Sequence, residues 1–328
     1  MLYRSPVSRY TVIAALLALP GAVWTVLRIV GPSGYPLIPL MAFTPYALLA
    51  TLVPFVAALL MRQWWVAVAA ALVTIVLASF VLPRGFGGPD PAGAAGGPQL
   101  RVLTMNMDWG EADPDEIIQL VRDDHVDLLA LQEFTPRARS RLESRGLLDL
   151  LPNSIAHPVP DPSGSALYSR YPLTDTGYLP LPGDFGQAYA TVNVPGAPPL
   201  LVESVHPVAP AERDLVPYWK AGLAMEPRAD RGGPVRLLMG DFNATLDHAP
   251  LQALLRSGYR DAAATLGDGF VSTWPYDGTR LPKVTIDHVL ADPRIAVRAL
   301  SANRVNGTDH RALYAQLTLP SSPPHPTS

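Results

Sequence analysis

Acidic, amide and imidazole side chains close several apolar runs in this chain, where a rigid element would hold them at the rim of a core. Asn106 and Asp108 end LRVLTMNMD, Glu133 ends LLALQE, His206 ends LLVESVH, and Asp241 and Asn243 follow VRLLM in GDFN. Asp287–His288 and Asp309–His310 repeat an acid–imidazole pair further on. If the runs are strands, their period of two puts Asn106 with Asp108, and Asp241 with Asn243, on one face. Glu133 offers the hard oxygen that Mg²⁺ accepts. Gly240 allows a sharp turn or a close approach just before Asp241. A carboxylate beside a histidine can set its tautomer and favour the imidazolium form. His288 reads as a structural residue, His310 as a chemical one.

Each of these has an ordinary structural explanation when taken alone: a turn former, a surface Glu, a buried His. Five such groups at strand ends in one chain point instead to phosphoryl chemistry on an oxygen-ligated metal. The chain contains no cysteine, which excludes disulfides, thiolate catalysis and Cys-ligated zinc. No His-Glu-x-x-His spacing occurs, so a zinc site is disfavoured.

The elements that must position these residues can be read coarsely. Strands are expected over 100–107, 126–132, 166–171, 188–194, 200–205, 235–239, 285–290 and 312–319. A helix should start at Asp113 as cap with Pro114 at its first position and run to about Asp123. A second helix is expected over 211–225, interrupted at Pro217. Strands outnumber helices, and the pattern suggests a two-sheet sandwich flanked by helices.

Ahead of this part the composition changes. Before residue 100 the only acidic residue is Asp90, and the basic ones are Arg4, Arg9, Arg28, Arg62 and Arg84. Three uncharged apolar stretches, 11–27, 36–61 and 64–83, have the length of membrane spans, the first reaching Val30 if Arg28 snorkels. A cleaved signal peptide is the alternative for the first. With the N-terminus inside, Arg4, Arg9 and Arg62 fall on the cytoplasmic side and Arg28 and Arg84 outside, which places the large domain outside the cytoplasm. The expected organisation is a membrane anchor over 1–83, a Gly/Pro/Ala-rich tether over 84–99, a catalytic domain over 100–319 and a disordered tail over 320–328. Beyond residue 100 the chain carries 20 basic and 27 acidic side chains. That balance disfavours a general nucleic-acid footprint.

In this order, the motifs resemble those of the endonuclease/exonuclease/phosphatase superfamily over nearly all of 100–319. The resemblance implies a four-layered α/β sandwich, with two mainly antiparallel sheets flanked by helices, and Mg²⁺ or Mn²⁺ as cofactor. LRVLTMNMDWG would supply Asn106 and Asp108 to the metal and phosphate, and LLALQE would supply Glu133 as principal metal ligand. The strand ending at His206 would bring that His beside the scissile phosphate. GDFNA implies Asp241 as the base that orients water and Asn243 as a phosphate contact. TIDHVL implies that Asp287 orients the catalytic His, and TDHRAL places Asp309 near the metal and His310 on the phosphate. The three apolar stretches, with SRYPL at 169–173 and TWP at 273–275, resemble bacterial membrane proteins linked to teicoplanin or vancomycin resistance. That narrower likeness implies a lipid-linked phosphate or pyrophosphate of the envelope, cleaved outside the cytoplasm by a monomer. A tethered nuclease, a phospholipid-cleaving esterase and a non-enzymatic binding protein are the rival readings.

Overall fold

In the computed structural model of the protein, which describes residues 9–88, 90 and 96–322, the chain divides between Pro83 and Arg84 into two units. Arg4, residues 89 and 91–95 of the expected tether, and 323–328 of the expected tail lie outside the described residues.

The first unit is helical. Arg9–Val30, Leu37–Leu60 and Trp64–Gly85 are each long and apolar enough to cross a membrane. The second stretch is not one regular helix: it breaks into short turns around Met41–Phe43 and resumes at Thr44 and Leu52. Pro39, Pro45 and Pro54 remove backbone donors along it, which accounts for the segmentation. Polar side chains pair between the stretches: Thr11 with Gln63 (2.5 Å), Trp24 with Thr44 (3.1 Å) and Thr74 with Thr51 (2.9 Å). In an apolar surrounding such bonds join helices that have no hydrophobic drive to associate.

The second unit contains twelve strands: β1 (Gln99–Asn106), β2 (Leu128–Gln132), β3 (Asn153–His157), β4 (Ser165–Ser169), β5 (Leu173–Pro180), β6 (Gly186–Val192), β7 (Leu200–Val205), β8 (Val235–Asp241), β9 (Arg260–Asp261), β10 (Asp287–Ala291), β11 (Ala296–Arg304) and β12 (Arg311–Thr318). They form two six-stranded sheets, in the orders β11-β12-β1-β2-β4-β3 and β5-β6-β7-β8-β10-β9. Each sheet is antiparallel except for one central parallel pair, β1 with β2 and β7 with β8. Each parallel pair needs a crossover, which the helices Pro114–Asp123 and Val216–Met225 supply.

The period of two in β1 divides its side chains. Leu100 and Val102 enter the core between the sheets, with Leu128, Ala130, Val202, Leu237 and Met239. Leu103 and Met105 point the other way, onto Ile117, Val121 and Leu142 of the outer helices. Thr104 and Asn106 continue the inner row, so this face turns from apolar to polar toward the end of the strand. This is the expected helix–sheet–sheet–helix sandwich.

Several boundaries differ from the sequence reading. The helix expected over 211–225 begins only at Val216, and Pro217 lies in its first turn. A proline's missing N–H costs nothing there, so it starts the helix instead of interrupting it. Asp113 caps the first crossover helix as expected, accepting from Asp115 N–H at 2.8 Å. The start of the expected tether is tied to this unit. Arg84 is buried and donates to both carboxylate oxygens of Asp247 at 2.9 and 2.8 Å. Asp90 accepts from Arg260 and, at 2.7 Å, from the Val297 N–H.

Candidate active site

The two central parallel pairs run their carboxyl ends to the same rim. There β1 ends opposite Gln132 of β2, and β8 ends beside Val205 of β7 and opposite Asp287 of β10. Gly240 is required at this point. Its φ is 150°, and a Cβ there would lie 2.1 Å from the Val205 carbonyl oxygen. Only glycine lets the two strands approach so closely.

Asn106 and Asp108 do not share a strand face, and neither do Asp241 and Asn243. Each strand ends at the first residue of its pair. The side-chain oxygen of that residue then accepts the N–H of the second, at 2.9 Å for Asn106 and 2.8 Å for Asp241. Both are turns of the kind Asn and Asp make with their own backbone. The second residue of each pair is left-handed, with φ 44° at Asp108 and 48° at Asn243. Glu133, which follows β2, has φ 54°, and Trp109 has φ 55°. Half of the non-glycine residues with positive φ among those described thus gather at this rim, as strained backbone does where function holds it.

The side chains converge. The Asn106 amide donates to Glu133 Oε1 (3.0 Å) and Asp241 Oδ2 (3.1 Å), while Trp109 N–H donates to Glu133 Oε2 (2.7 Å). Asn106 was expected to offer oxygen to a metal. Its oxygen accepts the Asp108 N–H, and its NH₂ group bridges two carboxylates. His310 donates from Nδ1 to Asp287 Oδ2 at 2.9 Å. Its Nε2 faces Asp309 Oδ1 at 3.6 Å and Asp241 Oδ2 at 3.8 Å. His206 Nε2 lies 3.8 Å from Asp241 Oδ2 and 4.0 Å from Glu133 Oε1. Asn243 turns its amide to the Pro207 carbonyl at 3.1 Å.

Burial sets the charges. It pushes the Asp241 carboxyl up, helped by Asp287 directly across the strands, to about 7. Burial also raises Glu133, and it raises Asp108 with help from Asp309. Burial opposes a charge on His310, but Asp287, Asp241 and Asp309 outweigh it and hold the imidazole up at about 10. His206 goes the other way: burial and the nearby His310 push it down to about 3. One histidine is thus a cation at neutral pH and the other a neutral imidazole.

Residues that the sequence reading did not name as site residues hold this group in place, although Thr273 and Trp274 fall in its TWP string and Thr308 in TDHRAL. Thr273 Oγ accepts the Ile286 and Asp287 N–H groups at 3.0 and 3.1 Å. Thr308 Oγ donates to the Asn106 carbonyl and accepts the His310 N–H, both at 3.0 Å. Trp274 Nε1 donates to Asp309 Oδ2 at 2.6 Å. Gln187 Oε1 accepts the His206 N–H at 3.2 Å. The strings did not reveal these contacts, because a hydroxyl, amide or indole N–H in a strand or loop is common everywhere.

His288 is structural, as expected. It is buried between two acceptors, Asp261 Oδ2 and the Ala244 carbonyl, each at 2.8 Å. Both ring nitrogens must donate, which requires the imidazolium form. Burial resists that charge, but Asp261 and Ala244 overcome it and raise the pKa above the ordinary histidine value. The pair therefore stabilises the fold fully below about pH 6.5, the unfolded value, and its contribution is lost as pH rises through the higher folded value. Replacing His288 by Gln should flatten this part of the stability–pH curve, checked by urea midpoints at several pH values. A variant curve parallel to wild type would contradict the assignment.

A sequence profile of the endonuclease/exonuclease/phosphatase family matches residues 103–310, and the chain belongs to that family. Solved structures agree on the fold. An endonuclease/exonuclease/phosphatase from Beutenbergia cavernae superimposes with a TM-score of 0.56 at 19% identity, covering 69% of this chain and 73% of its own. A humanized D. rerio TDP2 gives 0.55 at 15% identity, covering 67% and 98%. A 3′ phosphatase, NExo, from Neisseria bound to a product DNA hairpin gives 0.51 at 18% identity, covering 66% and 98%. No curated protein matches the sequence. The comparisons reach the family and no narrower subgroup.

Proposed function

We propose that this chain is a membrane-anchored, metal-dependent hydrolase that cleaves a phosphoester or pyrophosphate of a lipid-linked envelope substrate outside the cytoplasm. The observation that carries the reading is the buried Asp287–His310 pair facing Asp241 and Glu133 in a chain that also has three apolar helices.

The donor set suits a hard divalent cation. Glu133, Asp108 and Asp309 are carboxylates, and burial raises Glu133 and Asp108 although His310 offsets part of it. These three residues would hold Mg²⁺ or Mn²⁺. Asp241, Asp287 and His310 also bring one ligand-capable atom each within 4.8 Å of one another. There the His310–Asp287 hydrogen bond already occupies two of those groups, so the Glu133 side is the better cradle. A bound ion would supply positive charge against the phosphoryl oxygens.

The chain's own residues supply the rest. Asp241 is held by the Asn243 N–H and the Asn106 amide, and a value near 7 suits a general base. It takes the proton of the attacking water as the new P–O bond forms and the bond to the leaving oxygen breaks. The leaving oxygen keeps the electron pair. His310 donates from Nε2 to a phosphoryl oxygen and balances the growing negative charge. Neutral His206 borders the same space and can take a hydrogen bond without adding charge. Asn243 lines the approach of the phosphate.

The test is phosphate release by the purified full chain, in detergent with Mg²⁺, from a polyprenyl diphosphate, with plasmid nicking measured alongside. Release abolished by EDTA, without nicking, is expected. Nicking without release would make the protein a tethered nuclease. For topology, a protease added to intact cells should cut the second unit. Protection in intact cells with cutting after lysis would place that unit in the cytoplasm.

A further inference from the structure

A cavity of about 360 Å³ is lined by residues that include Asp108, Thr308 and Asp309 together with Tyr276, Arg304 and Asn306. The surroundings of Tyr276 are unusual in charge. Three cations crowd the ring of Tyr276: Lys283 at 4.0 Å, Arg304 at 4.9 Å and Arg311 at 5.2 Å. Arg304 and Arg311 stand directly opposite each other across β11 and β12. Like charges opposed in this way repel, and a fold does not gain by them unless something else answers the charge. Arg311 is committed to the Ser272 and Ala302 carbonyls and the Tyr276 hydroxyl. Arg304 makes no ion pair with any acid among the described residues, and it faces the cavity. Asp277 also lines the cavity and is its one acid outside the catalytic group.

We propose that this cavity binds a second phosphate of the substrate, adjacent to the phosphoryl group that reacts, with Arg304 as the recognising residue and Lys283 reinforcing it across the Tyr276 ring. The inference rests on the hydrolase reading above and narrows it to diphosphates. Three features favour that class. The cavity has the volume of a small-ligand site. Asp309 and Arg304 line the same small space, so the two phosphates it serves are neighbours. A guanidinium matches a phosphate's paired oxygens in a way that selects it over a neutral group. Tyr276 holds the cations in place through its ring face, and its hydroxyl is fixed by Ser272 at 2.8 Å.

Two measurements test this with the full chain in detergent and Mg²⁺. The first is calorimetric binding of inorganic pyrophosphate and of inorganic phosphate. Wild type should bind pyrophosphate at least about tenfold more tightly, and Arg304→Ala should weaken pyrophosphate by roughly 10- to 100-fold while phosphate changes little, as expected for a charge-assisted contact. Lys283→Ala should act in the same direction and less strongly. The second is hydrolysis of a polyprenyl diphosphate and a polyprenyl monophosphate, where Arg304→Ala should raise KM for the diphosphate alone. Equal effects on both anions, or none, would overturn the proposal. So would a single-stranded oligonucleotide that displaces pyrophosphate and depends on Arg304, which would assign the cations to a nucleic-acid strand. If pyrophosphate binding depends on Arg304 but neither lipid is hydrolysed, the subsite stands and the hydrolase reading falls. If hydrolysis proceeds and Arg304→Ala changes nothing, the hydrolase reading stands and the subsite falls.

Discussion

Replacing Asp241 by Asn is expected to lower kcat by about 100- to 10,000-fold, the range for loss of a positioned general base. The chain should still fold. Asparagine keeps an acceptor for the Asn243 N–H, which now bonds Asp241 at 2.8 Å. Its NH₂ group then meets the NH₂ of Asn106, which now donates to Asp241 at 3.1 Å. That donor–donor contact costs roughly 1–3 kcal/mol. It is offset in part because the variant removes a buried charge opposite Asp287. A net change of this size is well inside the stability of about 5–15 kcal/mol typical of a folded domain. Steady-state rates and a thermal melt on the same preparation check both halves. Turnover near the wild-type rate would remove Asp241 from the role of base, and loss of the folded baseline would make it a structural residue.

His310→Ala should lose both activity and stability. The imidazolium bonds Asp287 at 2.9 Å and lies 3.8 Å from Asp241 and 3.6 Å from Asp309. Turnover should fall by about 100- to 10,000-fold, as for other proton-donating groups. Removing one partner of a buried ion pair leaves the other uncompensated, which costs roughly 3–5 kcal/mol. Asp287 is fully buried, and its Oδ1 already has no hydrogen-bond partner. For a domain of this size the loss corresponds to a melting temperature lower by on the order of 10 °C. The double variant His310→Ala/Asp287→Ala should recover part of that stability and none of the activity, because it removes the stranded charge as well. A single variant as stable as wild type would mean that the pair carries no net charge interaction.

The candidate site was legible before the fold because its polar residues are concentrated in short strings. An apolar run followed by Glu133, or by Gly240-Asp241-Phe242-Asn243, reports both a buried strand and a polar end, and the strand-to-rim geometry follows from that pattern alone. The Asp113 cap and Pro114 marked a helix start for the same reason: the signal is local. The three apolar stretches are also local, since length and hydrophobicity decide them.

Other elements left weak traces. The edge strands β5 and β11 are half exposed, so their sequences, LTDTGYLP and AVRALSANR, lack clean alternation. The tether over 84–99 read as structureless from its Gly and Pro content. Yet Arg84 and Asp90 are held by Asp247 and Arg260, partners well over a hundred residues away. Period-two reasoning placed Asp108 and Asn243 on strand faces, but the turn made by the preceding Asn or Asp side chain took over where each strand stopped.

By itself, then, the sequence determined which acids, amides and histidines stand at the ends of buried strands, because side-chain polarity and strand period are properties of neighbouring residues. Only the tertiary structure decided their ionisation and partners. Asp241 rises to about 7 because the fold buries it opposite Asp287, and His310 rises to about 10 against its own burial because Asp287, Asp241 and Asp309 arrive from separate strands and loops to surround it. Burial and the distance between charges are set by the packing of the whole domain, and no local pattern encodes them.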